Sequence, residues 1–182
     1  MSNARLGTER LQEIFRERAS LLSEVPTLEE SGERISILSF RLGGELYGVE
    51  LTCLAETRQS VPLRHVPCAP PHLVGIINLR GELLPVVDIC PILGLPQQQL
   101  HMTVPALLVL SLKENKITFV VDRAENILTF QTKDIHPPPL SLESERAHFI
   151  RGVFLVDGRA LSLLEMDNLL KDPRLAVKDV YS

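Results

Sequence analysis

Tryptophan is absent from this 182-residue chain, aromatic residues make up 4% of it, and acidic side chains outnumber Lys and Arg by 23 to 19. A surface that grips nucleic acid needs clustered positive charge and stacking aromatics, so this balance argues against that class of partner. Cysteine is scarce as well. Cys53, Cys68 and Cys90 are odd in number and far apart, which suits neither a secreted disulfide framework nor a paired zinc knuckle and fits a reducing cytoplasm. The first thirty residues lack the apolar run and small-residue cleavage site of a signal peptide. A longer uncharged stretch, Ile89 to Leu112, is broken by Pro91, Pro96 and Pro105 and by three successive glutamines, which excludes direct insertion into a membrane.

Signatures of chemistry are also missing. There is no Gly-x-Ser-x-Gly elbow, no phosphate-cradling glycine loop and no His-Glu-x-x-His. One group resembles a metal set, His65, Cys68 and His72, but Pro67, Pro70 and Pro71 stiffen the loop between them. A loop with incidental ligand types is the simpler reading, so neither metal nor other cofactor is expected. His101, His136 and His148 have no nucleophilic neighbour at a recognisable spacing, and Cys53 and Cys90 sit among apolar residues as small core fillers. No catalytic residue is assigned.

What is present is apolar alternation, with 45% of the chain hydrophobic. Leu11, Ile14, Phe15, Ala19 and Leu22 recur at helical spacing and Pro26 ends the pattern, predicting an amphipathic helix and linker over residues 1–34. From Ile35 the period becomes two. Leu38, Phe40 and Leu42 lead to Gly43-Gly44, and Tyr47, Val49 and Leu51 return, a hairpin with a turn able to take positive φ. Ile35 and Ile37 are out of phase with Leu38, so a bulge is expected there. Gly75 to Leu79 rises to Arg80-Gly81-Glu82 and Leu83 to Val87 returns, with Pro85 confined to an edge or a position outside the ladder. Asp88 then caps a short helical segment that Gly94 closes.

The same order then recurs. Leu108, Leu110 and Leu112 turn at Lys113 to Lys116 into Ile117, Phe119 and Val121, shadowing the first hairpin at an offset of 70. Phe149 to Val153, the turn Asp157-Gly158 and the return Leu161 to Leu164 shadow the second at an offset of 77, with Gly152 matching Gly75 and Glu165 matching Asp88. The pattern predicts a mostly β protein: two small barrel lobes from an internal duplication, intertwined over approximately 35–100 and 101–175 of a domain spanning 35–182.

Two residues need separate treatment. Gly81 is explained by the turn, whereas Arg80 either holds an internal carboxylate, Glu56 or Asp88, or presents its fork to a partner. Phe40 to Val49, Leu54-Ala55-Glu56, Val66-Pro67, Gly75 to Gly81, Leu84 to Asp88, Val121-Asp122, Phe149 to Gly152 and Leu163 to Glu165 together resemble the CheW family of chemotaxis coupling proteins. The resemblance implies two five-stranded, SH3-like barrels and a non-enzymatic, cytoplasmic adaptor. Its partners would be the regulatory domain of a CheA-type histidine kinase and the cytoplasmic tip of a methyl-accepting chemoreceptor. A scaffold in a surface-sensing or developmental kinase pathway is the alternative. The receptor-facing residues it implies are Leu51, Leu54, Glu56 and Arg80, with Asn78 and Gly81 supporting the turn. A groove of this kind suits a helical receptor tip. Leu51 and Leu54 as core, with Glu56 orienting Arg80, is the competing reading.

Overall fold

The computed structural model divides the chain into residues 1–32 and 33–182 and describes residues 32–97, 103–112, 115–139, 142 and 144–175. The predicted Leu11 to Leu22 helix lies outside them. Alternating and β-branched segments form ten strands: β1 Arg34–Leu42, β2 Glu45–Glu50, β3 Leu54–Pro62, β4 Leu73–Leu79, β5 Glu82–Val87, β6 Thr103–Leu112, β7 Asn115–Val121, β8 Arg123–Gln131, β9 Ile150–Val156 and β10 Arg159–Leu164. Among the described residues the α-helices are short: α1 Ser144–Ala147 precedes β9 and α2 Met166–Lys171 follows β10.

The strands form two five-stranded sheets, ordered β8-β1-β2-β10-β9 and β3-β6-β7-β5-β4. Strand for strand these orders are equivalent under the duplication, each with a parallel pair, β2 with β10 and β7 with β5. The division near residue 100 does not follow the sheets. Each sheet takes a hairpin from one half of the sequence and three strands from the other, because the chain leaves its own hairpin after β2 and again after β7 to build the opposite sheet.

Both sheets roll until their edges touch. Arg64 and Ile76 exchange backbone hydrogen bonds of 3.0 and 2.8 Å across one seam, and His136 and Val153 exchange bonds of 2.9 and 2.8 Å across the other. A glycine permits each closure. A Cβ on Gly75 would lie 2.4 Å from the Arg64 carbonyl oxygen, and one on Gly152 would lie 2.3 Å from Ile135 Cγ2. No side chain fits at such distances.

Three apolar clusters fill the fold. The largest joins the β1–β2 and β6–β7 hairpins through Phe40, Tyr47, Leu108 and Phe119, while smaller clusters occupy each barrel, Ile37, Phe154 and Leu163 in one and Ile77, Val86 and Leu107 in the other. Each such fully buried side chain contributes about 1.5–3 kcal/mol. This arrangement corrects the expected bulge within β1. Ile35 and Ile37 face the barrel while Leu38, Phe40 and Leu42 face the shared cluster, so β1 is buried on both sides. The register shift falls instead between Leu38 and Phe40 on the β8 side, where Ser39 Oγ donates to the Asn126 carbonyl at 2.8 Å and accepts its N–H at 3.0 Å.

Gly43 and Gly44 take φ of +59° and +82° in the first turn. Pro85 lies inside the sheet, on β5 between β4 and β7, one residue before the β5–β7 ladder begins at Val86. Asp88 caps the following backbone, its Oδ1 accepting the Cys90 N–H at 2.9 Å, but what it starts is a run of turns, whereas the matching Glu165 opens the true helix α2.

Candidate functional site

At the tip of the β4–β5 hairpin the backbone turns left-handed twice, at Arg80 (φ +53°) and Gly81 (φ +90°). Asn78 Oδ1 accepts the Gly81 N–H at 2.9 Å, which locks the turn. The locked tip aims Arg80 across the barrel mouth to β3. There Arg80 Nη2 stands 3.1 Å from Glu56 Oε2, and Arg58 Nη2 reaches the same oxygen at 3.2 Å. Asp88 is buried and bonded to Cys90, so the carboxylate that holds Arg80 is Glu56.

Glu56 and Arg80 border an open cavity of about 360 Å³ whose walls also include Ala55, Leu79, Leu84 and Val109. Lys116 Nζ, 2.6 Å from Glu82 Oε2, closes its far side. Two guanidinium groups share one carboxylate, so the β3 side of the mouth is net positive. It can accept a partner's carboxylate while Leu79, Leu84 and Val109 offer an apolar wall. None of its lining residues is Ser, Cys or His, the side chains that most often act as nucleophile or general base.

Leu51 and Leu54 fall elsewhere. Leu51 lies in the 3-10 turn Leu51–Cys53 and Leu54 opens β3; both are half-buried, packed against the shared cluster, and neither lines the cavity. Glu56 and Arg80 are therefore brought together, Asn78 and Gly81 support them, and the two leucines pack on the shared cluster outside the cavity. Arg58, Glu82 and Lys116 were not anticipated. Arg58 was detectable, since it stands two residues after Glu56 and shares its face of the strand; the pairing of Lys116 with Glu82 depends on a register between distant strands.

Other polar groups tie down the rest of the surface. Arg146 of α1 donates to Glu45 and to the Tyr47 hydroxyl, and burial pushes the Tyr47 phenol well above its ordinary range. The hydrogen bond from Arg41 holds the Glu125 carboxyl below the usual carboxylate value. His65 Nδ1 lies 3.1 Å from the Val74 carbonyl oxygen and Cys68 is exposed with φ of +59°. Among the described residues no group of three or more His, Cys, Asp or Glu is placed to hold a metal ion, and no helix is long and apolar enough to cross a membrane.

Two interlocked five-stranded barrels, one with a charged, partly apolar mouth, define a small β module. The CheW-like domain family matches residues 36–174, and the chain belongs to that family. Similar proteins include "Chemotaxis protein CheW" of Rhizobium meliloti (strain 1021), 33% identical over 134 residues, 73% of this chain and 85% of the relative. "Probable chemotaxis protein CheW" of Rhizobium etli is 31% identical over 143 residues, 78% and 90% of the two chains. The crystal structure of the scaffolding protein TtCheW from Thermoanaerobacter tengcongensis has the same fold, with a TM-score of 0.62 at 24% identity, over 73% of this chain and 90% of that one.

Proposed function

We propose that this chain is a cytoplasmic adaptor that couples the cytoplasmic tip of a methyl-accepting chemoreceptor to the regulatory domain of a CheA-type histidine kinase, and that it catalyses no reaction itself. The observation that carries the reading is the Glu56–Arg80 pair at the mouth of the β3–β5 barrel, held by a locked turn and flanked by apolar wall. A receptor tip is a helical hairpin with apolar and carboxylate-bearing faces. Leu79, Leu84 and Val109 would take the first and the Arg58–Arg80 pair the second, the helix-in-groove mode of recognition. Leu51 and Leu54, half-buried against the shared cluster and outside this cavity, would give the receptor a second, separate apolar contact. Family membership and the names of the relatives support the same reading.

Calorimetric titration of the chain against a receptor-tip fragment tests it. Saturable binding that Arg80→Glu weakens at least tenfold, about 1.4 kcal/mol, is the expected result. Unchanged binding by a folded Arg80→Glu variant would remove Arg80 from the site.

A further inference from the structure

The turn at the tip of the β9–β10 hairpin repeats the one at β4–β5 with its charges reversed. Arg80 and Gly81 take φ of +53° and +90°, and Asp157 and Gly158 take +48° and +73°, so Arg80-Gly81-Glu82 is matched by Asp157-Gly158-Arg159. At the first tip the fold supplies both counter-charges. Glu56 holds Arg80 at 3.1 Å and Lys116 holds Glu82 at 2.6 Å, and all four residues line one cavity.

At the second tip both counter-charges are gone. The ladders pair Thr57 with Leu108 and Ile127 with Leu38, which places Asn126 where the first barrel has Glu56. The offset of 70 places Leu46 where it has Lys116. Asn126, Leu46, Asp157 and Arg159 again line one cavity, of about 330 Å³. Among the described residues the side chains of Asp157 and Arg159 make no ion pair or hydrogen bond. The other two charges at this cavity, Arg41 and Glu125, hold one another at 2.9 Å. The site is therefore neutral overall, with one unmatched carboxylate and one unmatched guanidinium beside an apolar wall of Leu46, Leu128 and Val156. Asp before Gly suits such a turn, but the turn asks for no charge at Arg159 and for neither neutral partner position.

From the loss of both partners we infer that the mouth of the β9–β10 barrel binds a free α-amino acid with an apolar side chain. The ligand carboxylate meets Arg159, its ammonium group meets Asp157, and its side chain covers Leu46, Leu128 and Val156. An anion or a cation alone would leave one of the two protein charges unmatched. Asp157 and Arg159 are two residues apart, within about 7 Å along the chain, so the ligand's own charges must lie close together, as they do on a single α-carbon. The cavity is open and at the small end of ligand sites, so the affinity is modest, on the order of 1 mM. Leu51, Leu54, Glu56 and Arg80 take no part, and the inference does not depend on the receptor-binding role.

Titration of the isotope-labelled full chain with free leucine, followed by its amide resonances, tests the inference. Leucine is expected to shift the amides of Leu46, Leu128 and Val156 to Arg159 along one saturable curve, while those of Asn78 to Glu82 at the first tip stay still. N-acetylleucine, which lacks the ammonium charge, and leucinamide, which lacks the carboxylate, should each bind at least about threefold more weakly. Asp157→Asn keeps a residue that accepts the left-handed turn position; it should weaken leucine by the same factor and leave N-acetylleucine unaffected. Arg159→Gln should weaken leucine and N-acetylleucine and leave leucinamide unaffected. The spectra of both variants show directly that they are folded. Leucine that moves no resonance up to about 50 mM, shifts spread equally over both tips, derivatives that bind as leucine does, or variants that bind it unchanged would each overturn the inference.

Discussion

Arg80 Nη2 and Glu56 Oε2 meet at 3.1 Å across the seam of the β3–β5 barrel, joining two positions 24 residues apart. The Arg80 side chain is 77% exposed and that of Glu56 only 22%, so the pair is asymmetric. An exposed ion pair contributes about 0–1 kcal/mol. Arg80→Ala is therefore expected to lower unfolding free energy by less than about 1 kcal/mol while costing at least tenfold in receptor-tip affinity. Glu56→Gln should be worse for stability, by about 1–2 kcal/mol, because it withdraws the charge facing Arg58, whose Nε is already buried without a hydrogen-bond partner. Urea unfolding of both variants, beside titration, distinguishes the two roles.

Gly75 and Gly152 are predicted to be the most demanding glycines in the fold. An added methyl group at Gly75 strikes the Arg64 backbone, and one at Gly152 strikes both Ile135 Cγ2 and the His136 carbonyl oxygen at 2.9 Å. Gly75→Ala should cost about 2–3 kcal/mol or more, since backbone must move; Gly152→Ala should cost less to the extent that Ile135 yields. Denaturant midpoints measure both, and a Gly75→Ala variant as stable as the wild type would contradict the seam geometry.

Thr118 offers a gain in stability. It is fully buried on β7 and its hydroxyl has no hydrogen-bond partner. Thr118→Val keeps the shape and removes the desolvated hydroxyl, so thermal unfolding should show stabilisation of about 1 kcal/mol; destabilisation would mean that the hydroxyl is bonded in solution.

Acid should weaken the β1–β8 ladder through Glu125, whose carboxyl is held below its ordinary value chiefly by the Arg41 hydrogen bond. A depressed folded-state pKa gives stability that is full above the unfolded value, about 4.3, and is lost as pH falls through the folded one. Asp172, lowered by its bond to Arg174, acts in the same direction. Unfolding midpoints should stay level above about pH 5 and drop below about pH 4, with a smaller drop in Glu125→Gln.

Much of the fold was legible because hairpins are local. Period-two alternation, Gly43-Gly44 and the offset between Gly75 and Gly152 carried the strands, their turns and the duplication. Intertwined lobes were expected from the sequence, but which strands cross between halves was not legible, since alternation in β3 or β8 states which face is apolar but not which sheet the strand joins. Ile35 and Ile37 misled for a related reason: a strand buried on both faces has no single phase, and the change of phase read as a bulge. At the site, Glu56 was among the carboxylates open to Arg80, and the structure selects it over Asp88. The second arginine on Glu56 and the Lys116–Glu82 closure depend on cross-strand register, which composition does not encode.

The coupling role is tested most directly by reconstitution. Chemoreceptor-bearing vesicles and a CheA-type kinase are combined with and without this chain, and kinase autophosphorylation is followed as receptor ligand is added. The account predicts that kinase activity becomes responsive to the receptor ligand only when the chain is present, and that Arg80→Glu abolishes the response while the protein remains folded. Kinase activity indifferent to the chain, or equal coupling by the variant, would contradict it.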